Sequence, residues 1–394
     1  MKISSDNPVL IAGGGIGGLS LALALGLKGI AAILVEQTEK FSEVGAGIQL
    51  GPNATRILSG WGLSAELESC IYQPESINIK NGYNNTVLNT IPLIPLAEKL
   101  YSAPYYTIHR ADLHNLLLKA VRNQKTVTLM NDFQVMEIEE TDEGGIAISS
   151  EKGERIQGSI LIGADGIWSR VRSHIHPKLQ PSYSGKTAWR ALIPIDKLTD
   201  YYKSQVSLYL GPDSHLVHYP VRGGKLLNIV AVINDPEEPG KQWDRSGDSE
   251  QLIGAFQAWS PDLRGFLSRV ENWTKWALFT HKCPPKWSAG NIALLGDAVH
   301  PTLPFMAQGA VMAIEDALCL ADLLANSADN PKQKLMDYQK TRYRRAVKVQ
   351  TISKRQGTIY HLTGPFAFAR NQVISHRSPQ SLLKEYSWLY GYKS

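Results

Sequence analysis

A glycine-rich turn between a short apolar strand and an apolar helix constrains the amino-terminal fold more than any other feature. The predicted strand 9–12 is followed at once by the motif GGGIGG at 13–18, and then by a helix rich in alanine and leucine. Gly13 permits the tight turn, Gly15 allows a pyrophosphate to approach, and Gly18 lets the helix pack closely on the strand. Amide groups at the helix start would face the phosphates, where the helix dipole favours negative charge.

A second predicted strand, 31–35, ends at Glu36. A carboxylate at this place can accept hydrogen bonds from both ribose hydroxyls, and it would repel a 2′-phosphate. Glycine turns occur in many folds, but the series of strand, turn, helix, second strand and terminal acid predicts a dinucleotide site. The pattern does not distinguish FAD from NAD.

Composition indicates an ordinary globular enzyme. The chain has 394 residues, of which 43% are hydrophobic and 20% charged, enough for two or three structural units. The formal charge is +5, and basic residues cluster only at Arg342, Arg344, Arg345 and Lys348. At helical spacing this cluster is interpreted as a solvated helix face rather than a nucleic-acid site.

The cysteines and the apolar runs indicate the cellular compartment of the protein. Cys70, Cys283 and Cys319 form no CxxC pair, so neither a metal site nor a disulfide framework is expected. The apolar run 19–27 is too short to span a bilayer, and no basic segment with a cleavage site precedes it. A cytoplasmic enzyme is expected.

Three further segments carry specific motifs. They are GAGIQLGPN at 45–53 with HRADL at 109–113, ILIGADGIWSRVR at 160–172, and IALLGDAVHPTLPFMAQGA at 292–310. In order and spacing they resemble the group A flavin-dependent aromatic hydroxylases, the family of para-hydroxybenzoate hydroxylase and salicylate hydroxylase. The resemblance covers nearly the whole chain and implies that the bound dinucleotide is FAD.

The resemblance also implies which residues contact FAD. Arg110 would contact pyrophosphate or ribityl oxygens, or else cap the helix 111–121 at the surface. Asp297 can accept hydrogen bonds from ribityl hydroxyls, or else it is an ordinary helix cap. Amides of Gly309 and Ala310 can stabilise negative charge on the N1–O2 edge of reduced flavin. The full predicted set is Gly13, Gly15, Gly18, Glu36, Gly47, Arg110, Asp165, Gly166, Asp297, Gly309 and Ala310.

The spacing of these motifs predicts a discontinuous α/β fold. A Rossmann-like FAD-binding domain is expected at 1–180 and 281–330. An inserted, mostly antiparallel sheet at 181–280 would cover the flavin, and helices would follow at 331–394. The aromatic carboxyl-terminal stretch is expected to serve packing or a dimer contact, and it comprises Tyr386, Trp388, Leu389, Tyr390 and Tyr392.

The segment HLVHYP at 215–220 is the candidate substrate strand. Alternation along a strand puts His215, Val217 and Tyr219 on one face and His218 on the other. If Val217 faces the flavin, His215 is the hydrogen-bond partner of a substrate phenol, the alternative being a structural histidine.

Other residues near the substrate come from the third motif. Tyr219 and Gln308 are expected to contact substrate. Pro304 matches the family proline whose carbonyl can polarise the substrate hydroxyl, and His300 is expected to pack in the loop. Arg170 and Arg172 are candidates for nicotinamide phosphates, the alternative being solvated helix arginines.

The resemblance implies a monooxygenase that hydroxylates a small aromatic acid with NADH, or NADPH, and O2 through a flavin C4a-hydroperoxide. Segments 44–53 and 215–220 are most similar to 3-hydroxybenzoate 6-hydroxylases, and salicylate 1-hydroxylases and 6-hydroxynicotinate 3-monooxygenases remain alternatives. More distant alternatives are a lipid or quinone hydroxylase and a non-catalytic flavin-binding protein. A homodimer is expected, with no nucleic-acid partner, no integral membrane association and no metal.

Overall fold

The computed structural model describes residues 2–41, 46–198, 202–237, 244–326 and 330–393. The strands are β1 Val9–Ala12, β2 Ala32–Val35, β3 Gly47–Leu50, β4 Ile71–Tyr72, β5 Ser76–Asn81, β6 Val87–Pro92, β7 Tyr106–His109, β8 Val127–Met130, β9 Val135–Glu140, β10 Ile146–Ser150, β11 Arg155–Gly158, β12 Ile160–Gly163, β13 Ser182–Pro194, β14 Gln205–Gly211, β15 Ser214–Val221, β16 Leu226–Asn234, β17 Asp244–Gly247, β18 Trp273–Thr280, β19 Ser288–Ala289 and β20 Ile292–Leu294. The helices are α1 Ile16–Leu27, α2 Pro52–Gly60, α3 Ser64–Glu68, α4 Leu96–Tyr101, α5 Arg110–Arg122, α6 Arg170–Ile175, α7 Ser249–Ala255, α8 Pro261–Leu267, α9 Gly309–Ala325, α10 Pro331–Tyr360, α11 Gly364–Ser375, α12 Pro379–Lys384 and α13 Ser387–Tyr390.

A six-stranded sheet forms the first layer, in the order β19-β20-β12-β1-β2-β8. Its strands pair in parallel, apart from the antiparallel edge strand β19. β1 is buried along its whole length, as a parallel strand covered on both faces should be. The sheet therefore gathers segments that lie far apart in sequence, and the predicted Rossmann-like α/β layer is confirmed.

An eight-stranded sheet forms the second layer, in the order β17-β18-β13-β16-β15-β14-β5-β6. It is antiparallel except for the parallel pair of β14 and β5. One face packs against α7 and α8 through a separate apolar core around Trp189 and Tyr209. β5 and β6 join the sheet from before the predicted range 181–280, while the domain limits themselves stay a prediction.

The long helix α10 packs against α9 through buried charges. Arg342 Nη1 lies 2.8 Å from Glu315 Oε2, and its Nε donates to Asp316 Oδ1 at 2.7 Å. Arg345 Nη2 also pairs with Glu315, at 2.6 Å. The interpretation of this basic cluster as a solvated face is wrong for Arg342 and Arg345, because the acids that pair with them lie on another helix and not at local spacing.

The aromatic carboxyl-terminal stretch packs within the chain. The ring of Tyr390 meets Tyr101 edge-on at 5.6 Å between centroids and fills the space beside Gly51, where an added Cβ would come within 2.7 Å of it. The guanidinium of Arg345 lies 3.9 Å from the ring centroid of Tyr392. This stretch therefore packs beside the start of α2 and against the middle of α10.

Within the described ranges, no helix is long and apolar enough to cross a membrane. No group of His, Cys, Asp and Glu side chains in the same ranges is arranged to hold a metal ion. Cys70, Cys283 and Cys319 are free thiols, and burial raises the pKa of Cys283 and of Cys319 to about 12.

Candidate active site

The glycine turn has backbone geometry that side chains would block. Gly13 adopts φ 108°, and a Cβ there would lie 2.5 Å from the carbonyl oxygen of Ala164. A Cβ on Gly18 would lie 1.9 Å from the carbonyl oxygen of Gly13. Glu36 Oε2 accepts a hydrogen bond from the Gly14 amide at 2.7 Å, so this carboxylate also holds the turn in shape. The predicted contact of Glu36 with ribose stays a prediction.

In the second motif, Asp165 precedes α6 and binds the amides at the start of this helix. Asp165 Oδ1 accepts from Ser169 Oγ at 2.5 Å, and Oδ2 accepts from the amides of Arg170 and Val171 at 2.8 and 3.2 Å. Gly166 follows with φ 73° and lies on the wall of the central cavity. Asp165 therefore orients this turn through the backbone, and a direct cofactor contact for its carboxylate stays a prediction.

Arg172 does not lie where a phosphate could reach it. Its side chain is buried, and Nη1 contacts His281 Nε2 at 3.2 Å and the Ala298 carbonyl at 3.3 Å. Both predictions for Arg172, a phosphate contact and a solvated arginine, are therefore wrong, because α6 turns this position towards the protein interior. Arg170 is exposed.

A central cavity of about 300 Å³ lies between the two sheets. Asp297 reaches it from the short 3-10 turn Gly296–Ala298, and α9 begins at its edge. The predicted site residues on its wall are Gly15, Gly47, Arg110, Gly166, His215, Tyr219, Asp297, Pro304, Gly309 and Ala310. Segments distant in sequence thus meet at one cavity, while Gly13, Gly18 and Glu36 form the turn behind it. Positions 44 and 45 of the predicted cofactor loop lie outside the described residues.

Gln308 belongs to a buried polar network beneath the start of α9. Its Oε1 accepts from Asn53 Nδ2 at 3.1 Å, and the same Asn53 nitrogen donates to Glu315 Oε1 at 2.7 Å. Gln308 is absent from the described cavity wall. The geometry therefore gives no support to the predicted contact between Gln308 and substrate.

Strand β15 shows the predicted alternation. His215, Val217 and Tyr219 line the cavity, whereas His218 points to the other face, where its Nε2 lies 3.3 Å from Tyr209 Oη. His215 Nδ1 is 2.8 Å from His361 Nε2. Burial, with a smaller effect of Lys186, lowers the pKa of His215 to about 3, so the ring is neutral near pH 7.

Several cavity residues have no counterpart among the predicted ones. Arg190 of β13 lines the cavity, with its guanidinium 5.2 Å from the ring centroid of Trp276. Gln49 also lines it and accepts from Tyr105 Oη at 2.5 Å. Arg190 could have been predicted from the sequence, because it interrupts the apolar run 187–193. Alternation along the strand places it on the face opposite to that of the buried Trp189.

The geometry suits a planar, phosphate-linked cofactor. Glycine backbone from four separate motifs borders the cavity, and Gly15 and Gly17 bring the start of α1, where amide groups and the helix dipole favour phosphate, to its wall. A model of the FAD binding domain matches residues 6–353 of the chain. The 3-hydroxybenzoate 6-hydroxylase 1 of Aquipseudomonas alcaligenes is 35% identical over 390 residues, which cover 98% of each protein.

The chain belongs to the FAD-dependent aromatic monooxygenases. Solved structures agree in fold. HpxO of Klebsiella pneumoniae, solved with FAD and uric acid, superposes with a TM-score of 0.85 at 22% identity, covering 97% of this chain and 96% of that one. A salicylate hydroxylase substrate complex superposes with a TM-score of 0.83 at 25% identity, covering 99% and 96%. The predictions of family, fold class, enzyme class and FAD are confirmed.

When bound, FAD would supply the redox chemistry, which is hydride uptake from a reduced nicotinamide and reaction with O2. The chain's own part is to place and shield the reacting groups. The residues on the cavity wall that would hold FAD are Gly15, Arg110, Asp297 and the amides that open α9. His215 and Tyr219, on one face of β15, line the same cavity, and the ring of Tyr219 lies beside Gly47.

Replacing Asp297 with Ala should reduce FAD retention. A charge-assisted hydrogen bond contributes about 1.5–3 kcal/mol, so the Kd for FAD should rise about 10- to 100-fold. FAD content after purification and titration of the apoprotein measure the effect. Asp322→Ala, which removes only a surface pair with Lys28, is the control. Unchanged FAD affinity in Asp297→Ala would make Asp297 a cap of its turn.

Proposed function

We propose that this flavin monooxygenase hydroxylates 3-hydroxybenzoate at C6, using NADH and O2. The observation that carries the proposal is a neutral histidine, His215 of β15, and an arginine, Arg190 of β13, which line the same cavity from two strands of the covering sheet that are separated by β16. His215 suits a phenol and Arg190 suits a carboxylate. C6 lies para to the hydroxyl group, a position that ionisation of the phenol activates. The similar protein of Aquipseudomonas alcaligenes carries this activity in its name.

The roles of the cavity residues follow from this orientation. We assign His215 as the hydrogen-bond partner of the phenol. Burial raises the pKa of Tyr219, which keeps its hydroxyl protonated and able to donate to the substrate. Pro304 opens the turn Pro304–Met306 on the cavity wall, where its carbonyl can accept from the substrate hydroxyl.

Other small aromatic acids are the alternatives. Salicylate places hydroxyl and carboxylate on adjacent carbons and would bring both groups nearer to one wall. 6-Hydroxynicotinate keeps an acid and a ring hydroxyl para to each other. A long-chain lipid or quinone is less compatible with a cavity of about 300 Å³ bordered by Arg110 and Arg190.

The proposal is tested by incubating the enzyme with each acid and measuring NADH and NADPH oxidation separately. Product identification by mass spectrometry distinguishes hydroxylation from hydrogen peroxide release. We expect 2,5-dihydroxybenzoate from 3-hydroxybenzoate, with NADH preferred. If only salicylate or only 6-hydroxynicotinate were hydroxylated, that acid would be the substrate and the proposal of 3-hydroxybenzoate would be wrong. No oxygen consumption with any acid would favour a non-catalytic flavin protein.

Arg190→Gln should raise the KM for 3-hydroxybenzoate about 10- to 100-fold, because a charge-assisted contact with the carboxylate is lost. The matched ligand is 3-hydroxybenzamide, which has no carboxylate. Its dissociation constant, measured by flavin difference spectra, should stay within about twofold. Equal losses for acid and amide would show that Arg190 shapes the cavity rather than binding the carboxylate.

We also propose a cytoplasmic location and a homodimer. Three free cysteines fit a reducing compartment. Sedimentation velocity of the holoenzyme tests the dimer.

A further inference from the structure

His215, the residue expected to accept the proton of the phenol, is in surroundings that disfavour its protonated form. This inference rests on the proposed function, in which His215 faces the substrate hydroxyl. His215 is buried between Phe305 and Tyr360, whose ring centroids lie 5.4 and 5.3 Å from its own. An imidazolium in such surroundings is disfavoured, because burial penalises the charged form. A proton accepted there must move further to leave the phenolate in place.

A hydrogen-bonded series leads from His215 to the protein surface. His215 Nδ1 lies 2.8 Å from His361 Nε2. His361 Nδ1 lies 3.0 Å from Asn234 Oδ1 and 3.1 Å from Lys186 Nζ. Lys186 also donates to Asn234 Oδ1. His361 is buried, Lys186 is half-buried, and Asn234 is exposed.

The direction of these hydrogen bonds follows from one fixed end. Asn234 Nδ2 donates to Asp213 Oδ1 at 2.8 Å, and because a carboxylate only accepts, the amide oxygen of Asn234 must face His361. With Lys186 as the neutral amine, its lone pair and the oxygen of Asn234 both require hydrogen on His361 Nδ1, and Nε2 then accepts. His215 therefore donates from Nδ1, which leaves the lone pair of its Nε2 for the cavity. The hydrogen bonds at the surface thus fix the tautomer of His215 in which Nε2 can accept a proton.

We propose that His361 and Lys186 form a proton path that carries the phenol proton from His215 to solvent. The phenol O–H bond breaks as its proton is transferred to His215 Nε2. The Nδ1 hydrogen of His215 passes to His361 Nε2. The Nδ1 hydrogen of His361 then passes to the neutral amine of Lys186. The phenolate remains in the cavity, and the ammonium releases its proton to water.

The charges around the path agree with transfer through neutral rings. The groups that face His361 are His215, Lys186 and Arg370, and Asp213 is the acid that acts on Lys186. Burial and these neighbours lower the pKa of His361 to about 2. Burial also lowers the pKa of Lys186, which favours the neutral amine that the last step needs. Each ring therefore passes a proton on without storing charge.

Lys186→Arg and Lys186→Met distinguish proton acceptance from charge. Arginine supplies a permanent cation and hydrogen-bond donors, but it cannot be deprotonated in a protein and so cannot accept the proton. Ionisation of bound 3-hydroxybenzoate is followed by phenolate absorbance after a rapid pH jump, with the oxidised holoenzyme. We expect both variants, and His361→Gln, to ionise the phenol at least about tenfold more slowly than wild type. Their rates should then rise about tenfold per pH unit as hydroxide takes over.

The controls separate this proposal from structural damage and from the proposed function. FAD content and the rate of FAD reduction by NADH should remain at wild-type values in all three variants. His218→Gln, on the other face of the same strand, should ionise the phenol as wild type does. A wild-type rate in Lys186→Arg would overturn the path while leaving the hydroxylase intact. A wild-type enzyme that neither binds nor hydroxylates the phenol would refute both proposals.

Discussion

His215→Ala should slow hydroxylation of the aromatic acid about 100- to 10,000-fold, the usual cost of losing an aligned acid–base group. His215 lies on the cavity wall and offers Nε2, because its Nδ1 is engaged with His361. FAD content and reduction by NADH should be nearly unchanged, since His215 is not among the residues expected to hold FAD. Oxygen uptake should continue, and the oxygen consumed should appear as hydrogen peroxide.

The measurement is hydroxylated product formed per NADH oxidised, followed together with peroxide. His218→Ala is the matched control, because it truncates a buried histidine of the same strand whose ring meets Tyr209 on the other face. That variant should be less stable than wild type, but its coupling, the amount of hydroxylated product per NADH oxidised, should not change. Equal loss of coupling in both would point to distortion of β15, and wild-type rate and coupling in His215→Ala would make His215 structural.

Local motifs explain why much of the site was predictable. The turn at Gly13 and Gly18 allows no side chain, so the sequence itself reports the backbone geometry. Alternation along β15 likewise assigns His215 and His218 to opposite faces without knowledge of the neighbours. These features depend on residues a few positions apart, which a single sequence contains.

Partners distant in sequence explain what could not be predicted. Gln308 follows the family motif, yet its orientation depends on Asn53, which belongs to another segment. Arg172 looks like a helix-surface arginine until His281 and the Ala298 carbonyl are placed beside it. His361 stands outside every motif, and only the fold brings it against His215. No local pattern reports such contacts.

The buried charges between α9 and α10 are the clearest case, and they predict a large loss of stability. Arg342→Met should cost about 3–5 kcal/mol in the free energy of unfolding, because two buried carboxylates lose their shared cation. Urea unfolding of the holoenzyme measures the loss. Lys334→Met, which removes a surface pair with Asp337 on the same helix, should cost at most about 0.5 kcal/mol.

The pH dependence of the Arg342→Met variant identifies the cause. Although burial opposes ionisation, His300 and Arg342 lower the pKa of Asp316 to about 2 in the wild type, so its contribution is complete above about pH 4. In the variant, His300 Nε2 still lies 2.6 Å from Asp316 Oδ2, so the loss of Arg342 should raise this pKa towards its unfolded value. The stability that the lowered pKa of Asp316 contributes above about pH 4 should then shrink. The wild type loses that contribution as pH falls below about 4, so the deficit of the variant should be larger at about pH 5 than at about pH 3, and a deficit independent of pH would assign it to lost packing instead.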